Sequence, residues 1–264
     1  MSGWFRRLLV AIVVADVIFL ALPTLVIVLA SFTAGEIITF PPDGVSLRWY
    51  QALWARAEMI DAFWRSLQVA LICTALAVPA GTLAALALAR GPARGRGLVQ
   101  LYLLLPFTIP LVVSGLGLML VLGQLRLLGW LWPVGFATCA INLPFMIGAV
   151  GAAASHLDPD LENAAASLGA PPTHSFLTVT IPAVMPGIIT GAMLMFVLAF
   201  NEFLVSLMLV DARIVTLPVL IYTSIRSVIT PDLAAVSVVY VLVALAAVWL
   251  LDRLVGLDLF LRSR

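Results

Sequence analysis

Apolar residues in this chain come in runs too long for a strand and too unbroken for a surface helix. Residues 8–30, 66–89, 98–122, 130–154, 184–210 and 233–256 each carry such a run. About twenty helical residues suffice to cross a bilayer, and every run reaches that length. Inside lipid the backbone must satisfy its own polar groups, which selects helices over open strands. The pattern predicts an all-α polytopic membrane protein with six transmembrane helices in one domain, 1–264. The longest polar punctuation lies at 31–65 and at 155–183.

The runs are marked by a few breaks and polar intruders. Pro106 and Pro110 should interrupt the third span, and Asn142-Leu143-Pro144 gives the fourth a polar, kinked middle. Pro79, Gly81 and neighbouring small residues suit close packing of the second. The first span, preceded by Arg6 and Arg7, is too long for a signal-peptide core and reads as a retained helix. Asp16 within it is costly in lipid, so its face turns to protein or water; satisfaction by a neighbouring helix is the plainer reading. After the first span, Phe40-Pro41-Pro42-Asp43-Gly44 forms a turn cluster. Ser46 through Trp54, with Trp49 and Tyr50, then begins an interfacial helix.

The interval from His156 to Ile188 holds most of the helix punctuation outside the spans. Asp158 can cap a helix that begins at Pro159, since proline has no N–H to leave unpaired there. Asp160 and Glu162 put negative charge in its first turns, where the helix dipole favours it. Asn163-Ala164-Ala165-Ala166 keep the surface thin, Gly169 offers a left-handed stop, and Pro171-Pro172 prevent simple continuation. A second apolar stretch, 176–181, ends at Pro182. The expectation is a short helix, a tight turn and a second short helix against the membrane face.

Composition narrows the function classes. Of 264 residues, 63% are hydrophobic and 10% charged, with mean hydropathy +1.17, which no soluble domain of this size shows. The net charge of +1 and the lack of a large basic cluster argue against a nucleic-acid partner. Cys73 and Cys139 sit singly in apolar runs as packing residues, and His156 and His174 lack partners at metal-ligand spacing. No catalytic constellation, metal set or cofactor motif is present, and no glycine loop of the nucleotide-binding type. All fourteen basic residues are arginine. With six spans, Arg6, Arg7, Arg90, Arg94, Arg96, Arg253, Arg262 and Arg264 fall on one side with both termini and the 155–183 loop, against six on the other. The positive-inside rule makes that side cytoplasmic.

The segment Asn163-Ala164-Ala165-Ala166-Ser167-Leu168-Gly169, closed by Ile181-Pro182, resembles the EAA loop of bacterial ABC importer permeases. The family pattern runs E-A-A-x-x-x-G and, after about nine residues, an apolar residue and L-P. Alignment on Gly169 puts Asn163 at the family's glutamate, with Glu162 one residue earlier, roughly 100° around a helix. Phe200-Asn201-Glu202-Phe203, Leu217-Pro218-Val219-Leu220-Ile221-Tyr222 and the F-P-P-D-G-x-S-L-R-W-Y wording at 40–50 are similar to the spermidine/putrescine branch, with Asn201 where that branch has aspartate.

The resemblance implies the type I ABC importer permease fold, in a bacterial inner membrane with both termini cytoplasmic. It implies two cytoplasmic ATPase subunits, a second, homologous permease chain, and an external solute-binding protein. Asp160, Glu162, Asn163, Ala164, Ala165, Gly169 and Pro182 would then form the ATPase-coupling segment, with either Glu162 or Asn163 supplying its polar contact. Asn201, Glu202 and Asp16 are the candidate substrate-pathway residues, with Glu202 open to a second role as a packing residue. The cargo suggested is a polyamine; iron, thiosulfate, phosphonate or an amino-acid-like solute are alternatives. A secondary transporter is a further one, disfavoured because no internal inverted repeat is visible.

Overall fold

The computed structural model describes residues 3–37, 44–91, 95–211, 214–227 and 230–255. Phe40-Pro41-Pro42-Asp43 of the expected turn, Arg94, Arg213, Arg262 and Arg264 of the charge count, and Gly256 lie outside these residues. Among the described residues the secondary structure is helical, apart from one isolated bridge between Thr33 and Val45. Contacts divide the chain into two units, residues 1–61 with 220–243, and residues 62–219 with 244–264.

In the first unit, α1 (Gly3–Ser31) is apolar on every side beyond Arg7 save for Asp16, and it exposes most of its length, with Phe19 and Leu20 each at 73%. A helix of that kind is solvated by lipid or by another chain, since it builds no core of its own. Asp16 lies exposed on it. The chain then folds back on the end of α1 to place α2 (Arg48–Ala55). Ser46 donates its N–H to the Phe32 carbonyl at 2.7 Å, and the Tyr50 and Ser31 hydroxyls meet at 2.6 Å. The Trp49 indole N–H donates to the Thr33 carbonyl at 3.0 Å, so the interfacial aromatics pin the amphipathic helix through their polar ends. Just beyond α2, Arg56 reaches the fully buried Asp232 at 2.5 Å. Asp232 opens α12 (Pro231–Val255), where the helix dipole also favours a carboxylate.

The second unit contains most of α3 (Ala57–Arg90), then α4 (Arg96–Thr108), α5 (Leu111–Gln124) and α6 (Leu131–Ser155). After them come α7 (Pro159–Ser167), α8 (Pro172–Ser175), α9 (Ile181–Phe200), α10 (Leu204–Leu209) and the start of α11 (Leu217–Ser227). Pro110 alone divides the third apolar run into α4 and α5, whereas Pro106, expected to interrupt it too, stays within α4. Pro110 has no N–H to give, and Ile109 before it is extended at φ −92°, ψ 127°. The Thr108 hydroxyl takes up the Leu105 carbonyl at 2.8 Å. In α6 the polar middle is satisfied within the helix: Asn142 donates its amide to the Thr138 carbonyl at 3.0 Å, and α6 continues through Pro144.

The fifth apolar run divides as well. Its expected course to Val210 is split into α9 and α10 by a break at 201–203, although no glycine or proline stands there. Polar side chains make the break: Asn201 donates its amide back to the Val197 carbonyl at 2.9 Å, closing the end of α9. At the other end, α8 runs into α9 through a π-helical turn, Phe176–Thr180, so 172–200 is one continuous helical rod and not a separate second short helix. Pro182 does not interrupt the rod, because it stands in the first turn of α9 after the widened π turn.

The most extensive helix contact of this unit is that of α6 with α9, beside an apolar core in which Val69 of α3, Leu122 of α5, Val134 of α6 and Val205 of α10 meet. An added Cβ on Gly187 would lie 2.7 Å from the Ala149 carbonyl oxygen and 2.7 Å from the Ala153 Cβ. In lipid, where apolar contact brings no solvent release, backbones this close gain dispersion and hold the pair. A matched pair of substitutions tests the contact. Gly187→Ala should cost about 1–3 kcal/mol through overpacking and lower the thermal midpoint of the purified protein in detergent. Gly148→Ala, also helical but with nothing within 4 Å of its Cβ, should leave the midpoint equal or raised.

Candidate functional site

The loop between α6 and α9 is built by local rules at both ends of α7. The Asp158 carboxylate accepts the Asp160 N–H at 3.0 Å, with Pro159 as the first helical residue. At the far end Gly169 adopts φ +84°, its N–H donates to the Ala166 carbonyl at 2.9 Å, and the Ala170 N–H donates to the Ala165 carbonyl at 3.0 Å. That pair of bonds is a Schellman closure, which favours glycine at the left-handed position. Helix length and direction are thus fixed by residues within the segment.

What holds α7 in place is polar. None of its residues is buried. Glu162 turns inward, where its carboxylate pairs with the Arg90 guanidinium and accepts the Thr180 hydroxyl. Arg90 also donates to the Thr180 oxygen at 3.0 Å. Arg90 is the last residue of α3, Thr180 the last of the π turn and fully buried, so three elements meet in one closed triangle. Each group has a partner of opposite charge or complementary donor sense, as a part-buried polar cluster requires.

The candidate coupling residues separate into two faces. Glu162 and Ala165 turn toward the protein, whereas Asp160, Asn163, Ala164 and Gly169 are exposed. The Asn163 amide reaches Asp160 at 3.4 Å, and Leu161 and Leu168 are exposed beside them, Leu168 at 89%. Glu162 is engaged inside the chain, and Asn163 stands on the open face. Pro182 is exposed at the start of α9. Sequence pattern does not join Arg90 and Thr180 to this site: Arg90 marks only topology. A cation ending one span and a lone glutamate in the next long loop were the available signal, but 72 residues separate them.

The candidate pathway residues are not brought together with this loop. Asn201 and Glu202 lie at the other end of the twenty-residue α9, and Asp16 belongs to the other unit. Asn201 is exposed. The Glu202 carboxylate accepts the Val205 N–H at 2.7 Å, capping the start of α10. The two residues therefore share one structural task, Asn201 ending one helix and Glu202 beginning the next.

Residues 77–257 match the family of binding-protein-dependent transport system inner membrane components. The chain is 32% identical over 226 residues to the putrescine transport system permease protein PotI of Escherichia coli (strain K12), covering 83% of this chain and 80% of that one. It is 30% identical over 248 residues to the putative 2-aminoethylphosphonate transport system permease protein PhnV of Salmonella typhimurium, with 92% of each chain covered. It is 33% identical over 213 residues to the molybdenum transport system permease protein ModB of Mycobacterium tuberculosis, covering 75% and 80%. In fold it is similar to a chain of a bacterial ABC transporter involved in the import of the acidic polysaccharide alginate, with TM-score 0.75, 17% identity and coverage of 96% and 94%.

The α9–α10 break makes a prediction of its own. Glu202→Gln retains an acceptor oxygen for Val205, so its thermal midpoint should stay near that of the parent. Glu202→Ala leaves that N–H unpaired and should cost about 1–2 kcal/mol. Equal midpoints for both variants, measured in detergent, would remove the capping role.

Proposed function

The chain belongs to the family of binding-protein-dependent transport system inner membrane components, and on that premise we propose how its loop, its orientation and its cargo fit together. It is a multi-pass membrane protein, the permease subunit of an ABC importer, and works with an ATPase and a solute-binding protein. It is not itself an enzyme: ATP is hydrolysed on a separate chain.

The coupling segment is α7 with its Schellman turn, and it lies in the cytoplasm with both termini. Support comes from the arginine balance, which gathers on that side, and from the exposed face of Asp160, Asn163, Ala164 and Leu168. The observation that carries the reading is that α7 stands free of any core, yet is rigidly ended and tethered. A helix so built presents one face to a partner and moves as a unit when that partner moves. Two ATPase subunits would engage two such helices, one from this chain and one from a second, homologous permease completing the pathway. Asn163 supplies the polar contact on the docking face, since the Glu162 carboxylate is occupied within the chain.

The cargo is a polyamine such as putrescine. The wording around 200–203 and 217–222 and the similarity to the putrescine permease both favour it. Glu202 belongs to the packing of the α9–α10 break; Asn201, exposed beside it, and Asp16 remain the polar groups of the pathway reading. The similarity to permeases with phosphonate and molybdenum in their names defines the competing cargoes to test.

Two experiments test this reading. In a strain lacking its own polyamine importers, expression of the full transporter should restore uptake of radiolabelled putrescine, undiminished by excess 2-aminoethylphosphonate or molybdate. No putrescine uptake, with accumulation of either competitor, would overturn the cargo. Separately, Gly169→Val forces a β-branched side chain to φ near +84°, at a cost of about 1–2 kcal/mol, and loosens the turn that ends α7. Membrane insertion should persist while transport falls steeply; normal transport would count against α7 as the coupling helix.

A further inference from the structure

We propose that Arg90 is a positioning residue for coupling: through Glu162 and Thr180 it ties α7 to the ends of α3 and α9, so that displacement of α7 is passed to both. The inference rests on the reading of α7 as the ATPase-docking helix.

Three observations carry it. First, α7 has no buried residue, so apolar packing gives it little hold on the rest of the unit. Second, the polar triangle supplies that hold from two directions. Arg90 arrives from the last turn of α3, where a cation is favoured by the helix dipole. Thr180, fully buried, arrives from the π turn that feeds α9. The guanidinium donates to Glu162 and to Thr180, and the Thr180 hydroxyl donates to Glu162, so no member can move away without unpairing another. Third, the arm to α9 falls on a π turn, a rare piece of helix often found at functional positions. A force applied to α7 thus reaches α3 through an ion pair and α9 through a hydroxyl on the π turn that feeds it.

The alternative is that the triangle only helps the loop to fold. The two differ in what they predict for an assembled complex. The test uses the complete transporter in lipid nanodiscs, with its own binding protein isolated together with the solute it carries. The readouts are co-purification of the ATPase, basal hydrolysis, and hydrolysis stimulated by the loaded binding protein. Arg90→Ala should keep ATPase co-purification and basal hydrolysis near the parent level, while the stimulated-to-basal ratio falls about tenfold, the range of a typical coupling loss. The charge swap Arg90→Glu with Glu162→Arg rebuilds the pair in reverse, against both helix dipoles, and should restore part of that ratio. Thr180→Val removes one arm and should lower it in part, which keeps the test open if Arg90→Ala fails to assemble.

A stimulated ratio unchanged in Arg90→Ala overturns the proposal. So does a swapped protein that retains the ATPase yet couples no better than Arg90→Ala, because the pair is then present and transmits nothing. If the parent permease itself fails to retain the ATPase, the reading of α7 as a docking helix falls, an outcome distinct from a parent that couples normally beside an equally normal Arg90→Ala.

Discussion

The second unit depends on one side chain set between two glycines. Met146, wholly buried in the middle of α6, lies against Gly81 of α3 on one side and Gly191 of α9 on the other. A Cβ at either glycine would collide with the methionine, so three helices close around it only because those two positions are bare. In a bilayer, helices gain no hydrophobic drive by leaving lipid for one another, and close backbone approach with a flexible thioether filling the gap takes its place. Gly187 repeats the device one turn away, letting α9 run against Ala149 and Ala153.

The polar triangle at the end of these helices follows from that packing. Because α3 and α9 are both fixed by Met146, Arg90 and Thr180 at their ends stand at a set separation, and Glu162 closes it. The loop between α6 and α9 is then held at a third point besides its two covalent ends. Polar closure suits this place. A purely apolar contact would bury the faces of α7 that the proposed ATPase contact needs, whereas one carboxylate anchors the helix and leaves Asp160, Asn163 and Leu168 open.

How much of this was legible in sequence divides along the range of the interactions. Asp158, Pro159 and Gly169 act on neighbours two to five residues away, so their spelling was enough to write α7 and its turn. Pro110 likewise announced the α4–α5 break, because the missing N–H is a property of the residue itself. Pro182 misled in the opposite sense: a proline in a first turn is compatible with a continuous rod, and only the π turn before it reveals which case holds. The break after Phe200 carried no glycine or proline and depends on how Asn201 and Glu202 turn their side chains, which spacing does not encode. Arg90 and Glu162, 72 residues apart, meet only because three spans pack, so no local pattern could join them.

If α7 is the docking helix, its exposed face meets the ATPase. The most direct measurement places a photo-crosslinking amino acid at Leu168, 89% exposed beside Gly169, and at Leu125, 61% exposed at the other end of the helical unit. After irradiation of the assembled transporter in membranes, an adduct with the ATPase should form from position 168 and none from position 125. An ATPase adduct from 125, or its absence at 168 in a complex that retains the ATPase, would contradict docking through α7.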